Sequence, residues 1–162
     1  TAPASVRSVG EAVMAADRLL ETAKAQADAQ VSERNAREKA ELMRQLGMDE
    51  GESATKASRT MIRQLEEDQK RRSKRALTDA IDRALIDLLA IYRDVLMVQV
   101  GGDGELINTD LADLVSQIAR DSTPRQTLAR VDHIETARKR LVSNGNPMLV
   151  LEDMAISLRP QA

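Results

Sequence analysis

Apolar positions recur at spacings of three and four along most of this sequence, the repeat of an α-helix that buries one side. Val9, Val13, Ala16, Leu20 and Ala23 open the pattern, and Ser8 stands three residues before Glu11, the spacing of a capping box. Between Gln26 and Arg44 the stripe thins to Ala27, Val31, Ala36, Ala40 and Met43 among charges of both signs. That predicts a solvated helix that packs weakly or on something outside the chain. Gly47 ends it, and Gly47 to Ser53 reads as a loop. A second helix restarts near Ser58 and extends through Arg75. The stretch from Ala76 to Val100 is the most apolar. Leu77, Ile81, Leu85, Leu88, Leu89, Tyr92 and Leu96 share one face, and Ile86, Ile91, Val95, Met97 and Val98 lie on the others. A helix apolar nearly all round is buried on more than one side. No breaker separates these two stretches, so they can join as one long helix.

Gly101-Gly102-Asp103-Gly104 is a turn, after which Asn108, Thr109 or Asp110 caps a short helix with Leu111, Leu114, Val115 and Ile118 as its apolar face. Thr123 before Pro124, with Gln126 completing the box, starts the next helix. That helix carries Leu128, Val131, Ile134, Ala137, Arg138 and Leu141. Asn144-Gly145-Asn146-Pro147 ends it and begins another: Gly145 suits a left-handed position, Asn146 a cap and Pro147 a first turn. The last helix holds Leu149, Val150, Leu151, Met154, Ile156 and Leu158, and Pro160 stops it. Val95 to Val100 is the one run with strand character, and it has no partner strand. The expected fold is all-α, a bundle of about six helices. Residues 1–54 would be a long N-terminal helical extension and loop, and residues 55–162 the bundle.

Composition sharpens this picture. Tyr92 is the single aromatic residue, so the core must be aliphatic, and most aliphatic residues here are good helix formers. The absence of cysteine excludes disulfides, zinc–thiolate sites and thiol catalysis, and fits a cytoplasmic location. A formal net charge of −2 gives no global attraction to nucleic acid or membrane. No apolar run is long enough to span a bilayer. The opening Thr1-Ala2-Pro3-Ala4 lacks the charged head and apolar stretch of a signal peptide, and it does not start with Met. A piece of a longer chain is therefore expected.

No residue pattern points to chemistry. His133 is the only histidine and has no second His or Cys with which to bind a metal. Asp79, Asp82 and Asp87 lie along the apolar helix, where one can pair with Arg83 or a partner subunit, but no two carboxylates stand apart as an acid–base pair. The glycine-rich turn at 101–104 lacks the lysine and hydroxyl of a phosphate-binding loop. No catalytic, cofactor-binding or metal site is expected. The sharpest charge feature lies between Lys56 and Arg75, where eight basic residues face three acidic ones. Lys70, Arg71, Arg72, Lys74 and Arg75 could lie beside DNA phosphates. The stretch has no aromatic for base stacking, and a solvated face paired with the acidic first segment is the simpler expectation. The seven methionines indicate adaptable packing in a core or interface.

Two stretches carry a resemblance to a known family. Arg75 to Leu96, ending in Ile91-Tyr92-Arg93-Asp94-Val95-Leu96, resembles the start of the C-terminal domain of the bacterial DNA polymerase III delta-prime subunit. Asn144-Gly145-Asn146-Pro147-Met148-Leu149-Val150-Leu151-Glu152 resembles the signature that closes clamp-loader collar domains. The order of the two stretches and their separation of roughly fifty residues fit as well. Leu65 to Arg72 is similar to the basic helix entering that domain in actinobacterial chains, and residues 1–54 look like a helical extension of high-GC Gram-positive versions. The resemblance covers residues 58–159. It implies a non-catalytic oligomerisation domain, separate from the family's N-terminal AAA+ domain and lid. Its partners would be the gamma/tau and delta subunits, with which it would help load the sliding clamp. It places the candidate interface at Leu85, Leu88, Tyr92, Arg93, Asp94, Asn146, Pro147, Leu149 and Glu152. Alone, such a domain would expose apolar surface and self-associate as a homodimer, or cover that face with its first helix. Two rivals stay open: a generic helical adaptor, and a helical DNA-binding module using residues 70–75.

Overall fold

The computed structural model describes residues 9–47 and 55–159, with side chains from Met14 onward in the first helix. The expected Ser8–Glu11 cap, the Val9 and Val13 side chains, most of the loop at 47–53 and the stop at Pro160 lie outside the described residues. In chain order the elements are α1 (Val9–Gln45), α2 (Lys56–Gln99), a short 3-10 turn (Thr109–Leu111), α3 (Ala112–Asp121), α4 (Pro124–Val142) and α5 (Pro147–Ser157). The fold is all-α, with no strand among the described residues. The described residues form five α-helices, in keeping with the expected bundle of about six, and the stretches before and after Arg75 join as one 44-residue helix, α2. Ala76 and Leu77 continue it readily, since both are strong helix formers.

The chain divides into two compact units. One comprises Ala23–Ala80; the other holds the residues up to Thr22 and those from Ile81 onward. Both long helices contribute to both units.

In the unit Ala23–Ala80, α1 and α2 form an antiparallel helical pair. Ala27, Val31 and Ala76 make a small core, with Leu77 packed against it. Small side chains here bring the two helices close together. A polar seam continues the contact. Gln69 Nε2 donates to the Asn35 carbonyl at 2.7 Å, and Arg72 Nη1 donates to Asn35 Oδ1 at 2.9 Å and to Glu38 at 2.8 Å. Lys39 and Glu66 pair at 2.9 Å further along. The thinned stripe of α1 therefore packs on α2 at Ala27 and Val31 and through the polar seam at Asn35 and Glu38, while Ala36 and Ala40 stay exposed.

In the other unit, α2 from Ile81 onward is the central element. Ile81, Leu85, Leu88, Ile91, Tyr92 and Val95 are buried, together with Val115 and Ile118 of α3. α4 runs antiparallel to this part of α2: Arg138 forks onto both oxygens of Asp82 at 2.7 and 3.2 Å, and Thr127 Oγ1 donates to Gln99 Oε1 at 2.8 Å. Asp82 thus takes its partner from α4 rather than from Arg83. Gln99 also donates to the Ser122 carbonyl at 2.8 Å, joining the end of α2 to the α3–α4 junction.

The buried face of α4 differs from the expected one. Thr127, Arg130, Ile134, Ala137 and Leu141 are buried at alternating spacings of three and four, whereas Leu128 is half-exposed. Two polar residues lead the stripe because each has a partner on α2, Gln99 for Thr127 and the Tyr92 ring for Arg130. The apolar pair Leu128 and Val131 is turned aside as a result.

The helix ends follow the predicted chemistry with one exchange. Thr123 and Gln126 form a reciprocal capping box behind Pro124. Asn146 Oδ1 accepts from the Met148 and Leu149 amides at 3.0 and 3.2 Å behind Pro147. Gly47 is left-handed, with φ +64°, just past α1. At the α4–α5 turn, however, the left-handed residue is Asn144 (φ 63°), not Gly145. Gly145 is needed for space: a Cβ there would lie 2.7 Å from the Arg140 carbonyl oxygen and 2.9 Å from a Val150 methyl.

Candidate functional site

Placing the expected interface residues on this fold separates them into two groups. Leu85, Leu88, Tyr92 and Asp94 point inward and are buried by the chain's own helices. They build the interior of the fold. Arg93, Asn146 and Leu149 are exposed, with Pro147 and Glu152 half-buried beside them. The motif Tyr92-Arg93-Asp94 is therefore split by helical geometry: its first and third residues face the interior, and its middle residue faces out.

Asp94 has a definite task. Its carboxylate is fully buried and accepts from the Ile107 amide at 2.9 Å, the Asn108 amide at 2.8 Å and the Asn108 side chain at 3.1 Å. Arg93 Nη1 lies 3.2 Å from the same group. Burial alone pushes this carboxyl up. The hydrogen bonds from Ile107 and Asn108, with the Arg93 charge, outweigh that effect and hold it below the usual aspartate value. Asp94 thus fixes the segment between α2 and α3 onto α2. Sequence reasoning missed this because two of its donors are backbone amides, which have no residue-type signature.

Tyr92 is fully buried, and its hydroxyl has no hydrogen-bond partner among the described residues. Burial raises it above the usual tyrosine value, against the opposing pull of the Arg130 charge. The Arg130 guanidinium carbon lies 6.0 Å from the ring centroid.

The outward side of α2 leaves apolar side chains exposed. Ile86 (45% exposed), Arg93 and Val100 (62%) recur every seven residues, with Leu89, Ala90 and Met97 half-buried between them. Leu149, at the start of α5, is 64% exposed. The turn after α2 is left-handed at Gly101 (φ +67°), and Met97 folds over Gly102 and Gly104 so closely that a Cβ at either would strike its terminal methyl. This keeps the end of the face compact.

The basic stretch is partly consumed. Arg72 pairs with Glu38, and Arg71 with Asp68. Lys70, Lys74 and Arg75 are exposed and make no ion pair among the described residues. Three cations with no flanking aromatic give a weak phosphate-tracking surface. His133 is exposed on α4. Among the described residues no group of three or more His, Asp or Glu is placed to hold a metal ion, and no helix is long and apolar enough to cross a membrane.

Residues 54–159, well over half of the chain, match the family described as DNA polymerase III, delta subunit, C terminal. The chain belongs to this family. A DNA polymerase III subunit delta' of Bacillus subtilis (strain 168) is 38% identical over 72 residues, which cover 44% of this chain and 22% of that protein. The aligned part is thus about a fifth of the relative's length. No solved structure matches. The resemblance drawn from Ile91 to Leu96 and from Asn144 to Glu152 to a delta-prime C-terminal domain is borne out. Membership in the DNA polymerase III delta C-terminal family makes this a domain of the replication machinery.

Proposed function

We propose that this chain is the non-catalytic oligomerisation domain of a cytoplasmic clamp-loader subunit, a delta-prime collar, which assembles with the gamma/tau and delta subunits to load the sliding clamp. The family match over residues 54–159 carries this reading. The outward face of α2 supports it: large apolar side chains alternate there with Arg93 instead of a uniformly charged surface. Exposed apolar residues rimmed by charge are what a subunit contact uses. The docking residues are Ile86, Arg93 and Val100, with Asn146, Pro147, Leu149 and Glu152 as a second contact. Leu85, Leu88, Tyr92 and Asp94 act by supporting these from within.

The test is co-purification of this chain with the gamma/tau and delta collar domains by size exclusion. The expected result is a stable complex that Arg93→Glu and Leu149→Asp weaken at least tenfold while the circular dichroism spectrum is unchanged. Failure to associate with well-folded partners refutes the reading. In the absence of partners, the same face is expected to drive concentration-dependent dimerisation, seen by sedimentation. A direct DNA role for Lys70, Lys74 and Arg75 would instead show as salt-dependent binding of primed duplex by the isolated chain.

A further inference from the structure

A half-open cavity of about 460 Å³ lies between the start of α4 and the end of α5. Arg125, Gln126, Arg130 and His133 line it from α4, and Ser157 and Arg159 from the end of α5. Among the described residues no Asp or Glu lines it. Three arginines lining one cavity without a described carboxylate stand out, because guanidinium groups on a helical bundle normally find an acidic partner, as Arg138, Arg140, Arg71 and Arg72 do here.

Arg130 gives the cavity its character. Its side chain is 93% buried, yet it makes no hydrogen bond or ion pair among the described residues. Its guanidinium carbon lies over the face of Tyr92. No Arg130 nitrogen is a fully buried atom without a partner, so its guanidinium keeps access to the water of the cavity and is open to an anionic acceptor there. Arg159 spends Nε on the Ile156 carbonyl at 3.0 Å, leaving its terminal nitrogens for the cavity. The Ser157 hydroxyl donates to the Asp153 carbonyl at 2.9 Å and so is held in place.

We propose that this cavity binds a phosphate-bearing anion, with Arg130 at its floor and Arg125 and Arg159 at its rim. Charge decides between oxyanions. A single carboxylate would leave two of the three cations uncompensated, whereas a phosphate or diphosphate carries the two or three negative charges that the site lacks. The planar fork of arginine matches phosphate oxygens in pairs. The volume falls within the usual range for small-ligand sites, on the order of 300–1,000 Å³. The phosphate can belong to a free polyphosphate or to a nucleic-acid backbone; both present the same oxygens.

The experiment is titration of the 162-residue chain with inorganic pyrophosphate at low salt, followed by calorimetry and by the arginine Nε resonances. Saturable binding is expected, weakened about tenfold or more by Arg125→Ala or Arg159→Ala, which sit at the rim and leave the fold intact. Arg130→Lys is expected to weaken it further. If a short duplex displaces pyrophosphate, the site serves a nucleic-acid backbone; if not, it serves a free polyphosphate. The proposal is overturned if pyrophosphate binds no better than matched sodium chloride. It is also overturned if the rim variants bind as the parent does, or if succinate competes as well as pyrophosphate.

Discussion

Removing the Asp94 carboxylate should loosen the segment between α2 and α3. In Asp94→Ala, the Ile107 and Asn108 amides, now 2.8–2.9 Å from a buried acceptor, lose it, and the Asn108 side chain loses a bond at 3.1 Å. A hydrogen bond to a charged acceptor contributes about 1.5–3 kcal/mol, and a donor left without one adds to the loss unless water reaches it. Allowing for partial rehydration of the freed segment, the expected destabilisation is about 3–5 kcal/mol. For a domain with a total stability of about 5–15 kcal/mol this is severe. In Asp94→Asn the shape is kept, but one acceptor becomes an NH2 group facing a donor, and about 2–3 kcal/mol is expected to be lost. Urea denaturation is the assay, with the midpoint falling by about 1–2 M. The pH dependence gives a second reading. The folded carboxyl titrates below its usual value, so its contribution is complete above the unfolded value, about 3.9, and is lost as pH falls through the lower folded value. The gap between the parent and Asp94→Asn should therefore be constant from pH 5 to 8 and close in acid. Exchange of the Ile107 and Asn108 amides should rise in the variant even where global stability is unaffected. A gap under about 0.5 kcal/mol at pH 7, or amides at 107 and 108 that exchange as before, refutes the assignment of Asp94 as the clasp.

Three further outcomes are expected. Tyr92→Phe removes a buried hydroxyl with no partner, so stability should be unchanged or rise by about 1 kcal/mol, measured by urea denaturation. The parent alone should lose that stability as pH climbs past about 10, since its buried hydroxyl ionises later in the folded state than in the unfolded one and the neutral form is favoured only on folding. Gly145→Ala should cost about 1–3 kcal/mol through the clash with the Arg140 carbonyl, while Asn144→Gly should be nearly neutral because the left-handed φ is kept; thermal melts separate the two. Thr123→Ala should cost about 1 kcal/mol by removing one half of the capping box of α4, with Gln126→Ala removing the other.

Much of the fold was legible because it is written in local signals. Thr123-Pro124 and Asn146-Pro147 announce helix starts through the hydroxyl or amide that meets the first-turn amides, and the structure uses them so. The buried face of α2 follows from spacing alone, since Ile81, Leu85, Leu88, Tyr92 and Val95 cannot all face water. What was not legible depends on partners distant in sequence. The buried stripe of α4 begins with Thr127 and Arg130, which a search for apolar residues passes over in favour of Leu128 and Val131. Only the presence of Gln99 and Tyr92 on α2 makes those polar positions interior ones. The family resemblance of the motif Tyr92-Arg93-Asp94 put Asp94 among the contacts for another subunit, and nothing in residues 107–108 marks the backbone amides that it meets within the chain. The cavity lined by Arg125, Arg130 and Arg159 was hidden for the same reason: its cations are drawn from two helices and show no charge run. At the α4–α5 turn the neighbouring Asn144 and Gly145 exchange roles, which the dipeptide alone does not decide.

The interior position of Tyr92 has a spectroscopic consequence. It is the one aromatic chromophore in the chain, so its emission is free of energy transfer to tryptophan. A guanidinium lies over its ring, and that same Arg130 forms the floor of the cationic cavity. An anion drawn to Arg130 changes the field across the ring without touching it. The protein thus contains a single, native optical probe whose near-ultraviolet signal reports the state of the helical core and the occupancy of the cavity, with no label added.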